Sequence, residues 1–333
     1  MGSNIIYDKP FKTYEEQLQI LRSRNISIKD PVLAKQVLSS LSYYTIINGY
    51  KNTFLSIAGS DSFVDGTTFE SIYTLHIIDT NLNSILLKYI LFVERYLKTR
   101  LSYLVSQNFG VYTDRSDLRN INPDDYLCRN NYTGRGKNNT LKDIKEILSS
   151  QNLSDSVAHY ANDKNHIPAW ILITSIPLGL TIRWYTILKP SDKLNICEQF
   201  ISGDGLTPEE KKEFFIDALN LLRKFRNNIA HGNRIFSNSN LPVLPKKSLL
   251  HLSAGVVSEH EYNSGIGKND SFAVILLCFI LINDPYILRN FLADLIYTLS
   301  PYENVDINGK TIFEVFRLPD DIIDRLTIFL NNR

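Results

Sequence analysis

Cysteine is scarce in this sequence: three residues, Cys128, Cys197 and Cys278, are spread over 333 positions. None of them belongs to a Cys-x-x-Cys pair, which excludes a zinc knuckle and a thioredoxin-type redox motif. An odd number of isolated cysteines is typical of proteins in a reducing compartment, and the chain shows no signal-peptide pattern. We therefore expect a cytoplasmic location.

A long apolar run is also missing. The longest one, residues 273–282, has about half of the ~20 residues that a membrane-spanning helix needs, so we expect a buried helix and no contact with a membrane. The formal net charge is only +1, from 36 basic and 35 acidic residues, whereas many nucleic-acid-binding proteins are strongly basic. Any contact with RNA must therefore come from a local basic patch.

Strand-like alternation is rare, and helical spacing of apolar residues recurs along the chain, which predicts an all-α fold. The longest periodic block covers residues 69–107. The best-defined helix starts at Thr207, the predicted N-cap, with Pro208 at the first helical position and Glu210 at the third. Gly232 is placed to end this helix.

We divide the chain into three predicted segments. Residues 9–68 form an N-terminal helical region, residues 69–284 form the helical core, and residues 285–333 form C-terminal helices packed on that core.

Local signals predict further elements. Thr13 with Glu16 predicts a capping box at the start of a first helix, and Asp30-Pro31 opens a second helix that runs towards Gly49. Residues 108–139 are predicted as a surface loop, residues 237–267 as a loop, and residues 271–281 as a helix.

A polar row at the end of the best-defined helix is the candidate active site. Arg223, Asn227 and His231 are spaced by four and lie away from the apolar stripe, so core packing does not explain His231. Arg226 lies on the flank of the stripe. Histidine can exchange protons near neutral pH, and arginine can hold a phosphate with two hydrogen bonds.

Arginine and histidine together suit RNA cleavage without a metal ion. His231 would move protons to or from the reacting oxygens, Arg226 would neutralise charge on the phosphorane, and Asn227 would support the site. One histidine cannot easily serve as both acid and base, so a homodimer would supply two. The spacing alone also fits a simpler interpretation, in which His231 caps the helix and Arg226 forms a surface ion pair.

Basic residues on the two main helices, and one just beyond the second, are candidates for binding RNA, with a solvated helix face as the alternative. They are Arg95, Lys98, Arg100, Arg223 and Arg234. His159 and His166 lack a matching carboxylate pattern, so we expect no metal site and no cofactor.

Several blocks of the sequence resemble the Abi-like (abortive infection) family of the HEPN superfamily. They are Lys9-Pro10 with Tyr14-Glu15-Glu16-Gln17; Ser42-Tyr43-Tyr44 with Gly49-Tyr50; residues 75–104 with Asp79, Glu94 and Arg100; Trp170 and Gly179; and the R-x4-6-H motif in Arg226-Asn227-Asn228-Ile229-Ala230-His231-Gly232-Asn233-Arg234. The blocks occur in the family's order over residues 9–236.

The resemblance implies a HEPN-type helical bundle with N-terminal and C-terminal helical extensions, a homodimer, and a ribonuclease that acts in phage defence or as the toxin of a toxin–antitoxin pair. It also implies a small noncoding RNA as a partner. One position departs from the family: Thr174 stands where an acidic residue often follows the tryptophan by four. Two alternatives stay open, a noncatalytic RNA-binding protein and a helical protein that binds another protein.

Overall fold

The structure is a computed structural model that describes residues 8–55, 61–232, 234 and 241–333. Within these residues the chain forms sixteen α-helices and no β-strand, which confirms the predicted all-α class. The helices are α1 (Tyr14–Ser23), α2 (Pro31–Leu41), α3 (Gly49–Phe54), α4 (Phe69–Phe109), α5 (Lys137–Ser149), α6 (Asp155–Asp163), α7 (Ala169–Leu172), α8 (Leu178–Thr186), α9 (Pro190–Glu198), α10 (Pro208–Ala230), α11 (Lys246–Leu252), α12 (Glu259–Ser264), α13 (Ser271–Leu281), α14 (Pro285–Leu299), α15 (Ile312–Phe316) and α16 (Ile322–Asn331).

The chain divides into two compact units. Unit 1 comprises Met1–Asn83 and Leu295–Asp320, and unit 2 comprises Ser84–Asp294 and Asp321–Arg333. Two boundaries fall inside α4 and α14, and the third falls between α15 and α16, whereas the segments predicted from the sequence begin at the first residues of α4 and α14. The predicted division at 68/69 and 284/285 stays a prediction.

Unit 1 begins with two capped helices. The Thr13 hydroxyl accepts a hydrogen bond from the Glu16 backbone N–H, and the Glu16 carboxylate accepts one from the Thr13 N–H, which is the capping box expected for α1. The sequence predicts a second helix from residue 31 to about 49, but α2 ends at Leu41. The reason is Ser42, whose φ of 61° cannot continue a right-handed helix.

The core of unit 2 is built around α13, in which every residue is buried. Helix α10 packs against α8, α9, α11 and α13, and it buries one face made of Phe214, Phe215, Ala218, Leu219, Leu221, Leu222 and Phe225. In the described part of the chain, no helix combines the length and apolarity that crossing a membrane would require.

Two segments of unit 2 differ from the sequence-based expectation. Residues 108–139, predicted as a surface loop, contain no α-helix between 110 and 136, yet Tyr126, Leu127 and Tyr132 are buried. The buried ion pair of Lys145 and Asp125 also bonds to the backbone there: Lys145 Nζ donates to the Asp114 carbonyl, and Asp125 Oδ1 accepts from the Leu127 N–H. The segment 237–267, also predicted as a loop, carries α11 and α12 in its described part.

The N-cap of α10 is open to a direct test. Thr207 Oγ1 accepts a hydrogen bond from the Glu210 N–H at 3.2 Å, and Glu210 Oε2 accepts one from the Thr207 N–H at 2.9 Å. Thr207→Ala removes the side-chain acceptor and is expected to lower the free energy of unfolding by about 1 kcal/mol. Chemical denaturation measures the change. Thr207→Ser keeps the hydroxyl and should stay close to the wild type, and an equal loss in both variants would contradict a capping role.

Candidate active site

Helix α10 delivers the motif residues at its C-terminal end. Its last helical residue is Ala230, and His231 is the C-cap, whose backbone N–H donates to the Asn227 carbonyl at 3.1 Å. Gly232 then adopts a φ of 69°, a left-handed conformation that glycine reaches without strain, so the chain turns away here. The predicted helix end is therefore confirmed. Asn233, part of the motif, lies outside the described residues.

The His231 imidazole is exposed, and within the described residues it makes no hydrogen bond or ion pair. Helix capping by His231 uses its backbone N–H alone. The ring is therefore accessible to a substrate, in contrast to the buried Phe225, which lies six residues earlier on α10.

Arg226 lies on the flank of α10 that faces α4. Its Nε atom is 3.7 Å from Oε2 of Glu94, and the other oxygen of that carboxylate, Oε1, is 2.9 Å from Nζ of Lys98. The Glu94 side chain is only 8% exposed, whereas that of Arg226 is 36% exposed. The three residues form a cluster with one buried negative charge between two positive charges.

Glu94 is a site residue that the sequence reasoning did not assign. It was recognised only as part of a family block. The signal available in the sequence was an acidic residue in a strongly apolar helical stripe with Lys98 one turn later. Thr174, at the position where an acidic residue often occurs in the family, is exposed, and its hydroxyl donates to the Ile171 carbonyl at 2.7 Å. The carboxylate beside Arg226 thus comes from α4.

Arg226 and His231 point in different directions within one chain. Five residues of α-helix correspond to a rotation of roughly 140° beyond a full turn and a rise of about 7.5 Å. Arg226 faces α4 through Glu94, and the His231 ring is exposed beyond the last turn. In one copy of the chain the two side chains therefore leave α10 on different sides of the helix.

The other predicted RNA-binding residues occupy separate environments. The Arg223 side chain covers Gly179 of α8, where an added Cβ would lie 3.3 Å from Arg223 Cδ. The Arg95 guanidinium lies 4.4 Å from the ring centre of Phe92. Arg100 and Arg95 project about 140° apart around α4.

Arg100 is partly enclosed, with its Nη1 atom buried. Its guanidinium stacks 4.0 Å from the ring centre of Phe200, and burial lowers its pKa. The structure thus brings Lys98 to Arg226 through Glu94, and leaves Arg95 and Arg100 on other faces. Arg234 is half-buried. A role of these residues in binding RNA stays a prediction.

Among the described residues, no group of three or more His, Cys, Asp or Glu side chains is arranged to hold a metal ion. Near the end of α10, Arg226 and Lys98 supply positive charge and His231 supplies a group that can transfer a proton.

Comparison with protein families identifies one match. The family model described as Abi-like protein covers residues 36–237, which include Glu94, Arg226 and His231 and leave the block at residues 9–17 outside. No curated protein matches the chain. No solved structure matches it either. The family match spans more than half of the sequence, so the chain belongs to the Abi-like protein family, which associates it with abortive infection, a form of phage defence.

Proposed function

We propose that the protein is a metal-independent endoribonuclease whose site is formed by two copies of the chain around Arg226 and His231. The observation that carries the proposal is the exposed His231 ring at the end of α10, with the half-exposed Arg226 one turn earlier. Among the described residues, the His231 ring has no bonded partner, and Arg226 has one ionic contact, with Glu94, and no hydrogen bond, so both side chains are available to a substrate.

The reaction needs no group beyond these side chains. A base takes the proton from the 2′-hydroxyl, whose oxygen attacks phosphorus and forms the P–O2′ bond. The P–O5′ bond breaks, and an acid gives a proton to the departing 5′-oxygen. The products carry a 2′,3′-cyclic phosphate and a 5′-hydroxyl.

Each residue has a role matched to its place. His231 acts as acid or base, and Arg226 stabilises the charge that builds up on the phosphorane oxygens. Asn227, the neighbour of Arg226, orients groups at the site. Because one chain holds a single His231, a symmetric dimer supplies the second proton-transfer group.

The biological role in this proposal is growth arrest during phage infection, or toxicity restrained by an antitoxin. RNA is the substrate, and a small noncoding RNA is the proposed partner. Sequencing the RNA that co-purifies with the protein from its host identifies the bound substrate RNA and the bound noncoding RNA. A bound protein in place of RNA would favour the partner-binding alternative.

The cleavage experiment uses the wild-type protein with labelled single-stranded RNA and transfer RNA in EDTA. We expect cleavage that leaves cyclic-phosphate ends, and no cleavage where a 2′-deoxy nucleotide precedes the scissile phosphate, since the attacking hydroxyl is missing. RNA that is bound but uncut would favour a noncatalytic RNA-binding protein. Cleavage that requires added Mg²⁺, or that persists at the 2′-deoxy position, would contradict the proposed chemistry.

A further inference from the structure

We infer that Glu94 is a positioning residue that aims Arg226 at the scissile phosphate, an inference that rests on the proposed ribonuclease function. The first observation is the burial of a charge. The Glu94 side chain is only 8% exposed, and a carboxylate so enclosed needs positive partners. Among the described residues, Lys98 and Arg226 are the two cations within 4 Å of it.

The second observation is an incomplete contact. Lys98 binds Oε1 of Glu94, and this leaves Oε2 for Arg226. Oε2 of Glu94 and Nε of Arg226 are both buried, and neither has a hydrogen-bond partner in the described residues. They lie 3.7 Å apart, which is beyond the 2.7–2.9 Å of a charge-assisted hydrogen bond. A small rotation of Arg226 towards α4 would satisfy both atoms at once.

The contact with Glu94 leaves several N–H donors of the Arg226 guanidinium free. Arginine has five N–H donors, of which one is on Nε and four are on the terminal nitrogens. Nε of Arg226 is buried, while the side chain as a whole is 36% exposed, so its exposed surface lies on other atoms. With Nε turned to Glu94, the terminal nitrogens can take a phosphate with two hydrogen bonds.

In this role Glu94 orients the Arg226 guanidinium and does not contact the substrate. A long side chain loses much of its freedom when one edge of its guanidinium is held, and an arginine held in this way is already aimed before RNA arrives. Misplacing a catalytic group by about 1 Å can cost roughly 10²-fold in rate. Loss of Glu94 should thus lower kcat and leave KM for RNA largely unchanged.

The test compares Glu94→Gln with Glu146→Gln in RNA cleavage. Glu146 also lies one turn from a lysine, with Lys142 Nζ at 3.6 Å, but on the exposed face of α5. We expect a 10- to 100-fold lower kcat for E94Q, an intermediate loss for E94D, and wild-type kinetics for E146Q. Wild-type kcat in E94Q would overturn the inference.

A second arm separates positioning from a merely structural role. If Glu94 acts through Arg226, E94Q should cost much less in an Arg226→Lys background than in the wild type. An equal loss in both backgrounds, or a loss explained entirely by a smaller folded fraction, would overturn the inference.

Failure of the proposed function is distinguishable from failure of this inference. If the wild type cuts no RNA, the ribonuclease proposal fails and the catalytic role of Glu94 fails with it. The melting temperatures of E94Q, R226Q and the double variant then test the Glu94–Arg226 contact by itself. A double variant that loses less than the sum of the two single losses shows the Glu94–Arg226 interaction, and additive losses show that it is absent.

Discussion

Replacing His231 with alanine is expected to lower kcat for RNA cleavage by about 10²–10⁴-fold, the range typical of removing a general acid or base. Arg226→Ala should cost about 10²–10³-fold through the loss of charge stabilisation on the phosphorane. Initial rates with a saturating, end-labelled RNA measure both. Asn227→Ala should have a smaller effect, because this residue supports the site without transferring protons.

The structure offers a strict control for His231. His159 is also exposed, with Nδ1 2.8 Å from Asp163 on α6, so His159→Ala should leave cleavage unchanged. His231→Ala keeps the backbone N–H that caps α10, and its melting temperature should stay close to that of the wild type. Equal activity of H231A and the wild type would leave helix capping as the role of His231.

Mixing wild-type and H231A chains tests whether the site needs two copies. If a working site uses His231 from both chains of a symmetric dimer, activity should fall with the square of the wild-type fraction. An equal mixture of freely exchanging chains would then keep about a quarter of the activity. A linear decline, to about half, would show that each chain works alone and would contradict the composite site.

The second large effect concerns the ion pair that holds residues 108–139 inside unit 2. Lys145 and Asp125 have side chains that are 0% and 1% exposed, and Lys145 Nζ also donates to the Asp114 carbonyl at 2.8 Å. Lys145→Met leaves a buried carboxylate without its cation. We expect the free energy of unfolding to fall by about 3–5 kcal/mol.

A matched set of variants isolates the charge. Lys142→Met, on the exposed face of the same helix, should change stability little. The double variant K145M/D125N should recover part of the loss, since the amide is neutral and its oxygen can still accept from the Leu127 N–H, now 2.7 Å from Asp125 Oδ1. Urea denaturation measures all three. A K145M protein as stable as K142M would show that the pair does not anchor this segment.

The local signals of the sequence determined much of the helical framework. The capping residues of α1 and α10, the fully apolar run of α13 and the end of α10 near Gly232 were all predicted, because each depends on residues within one or two turns. The same local pattern located Arg226 and His231 at the end of α10. It missed α11 and α12, even though Ser258 and Glu261 form a capping box in front of the second of these helices.

Only the tertiary structure decided which distant residues meet. Glu94 and Arg226 are 132 positions apart in the sequence, and their approach depends on how α10 packs beside α4. The burial of the Lys145–Asp125 pair likewise follows from the packing of an irregular segment. This segment has no regular spacing of apolar residues from which its burial could be predicted. Helical periodicity reports which side of a helix is apolar, but the partner of each side is set by the packing of the whole core.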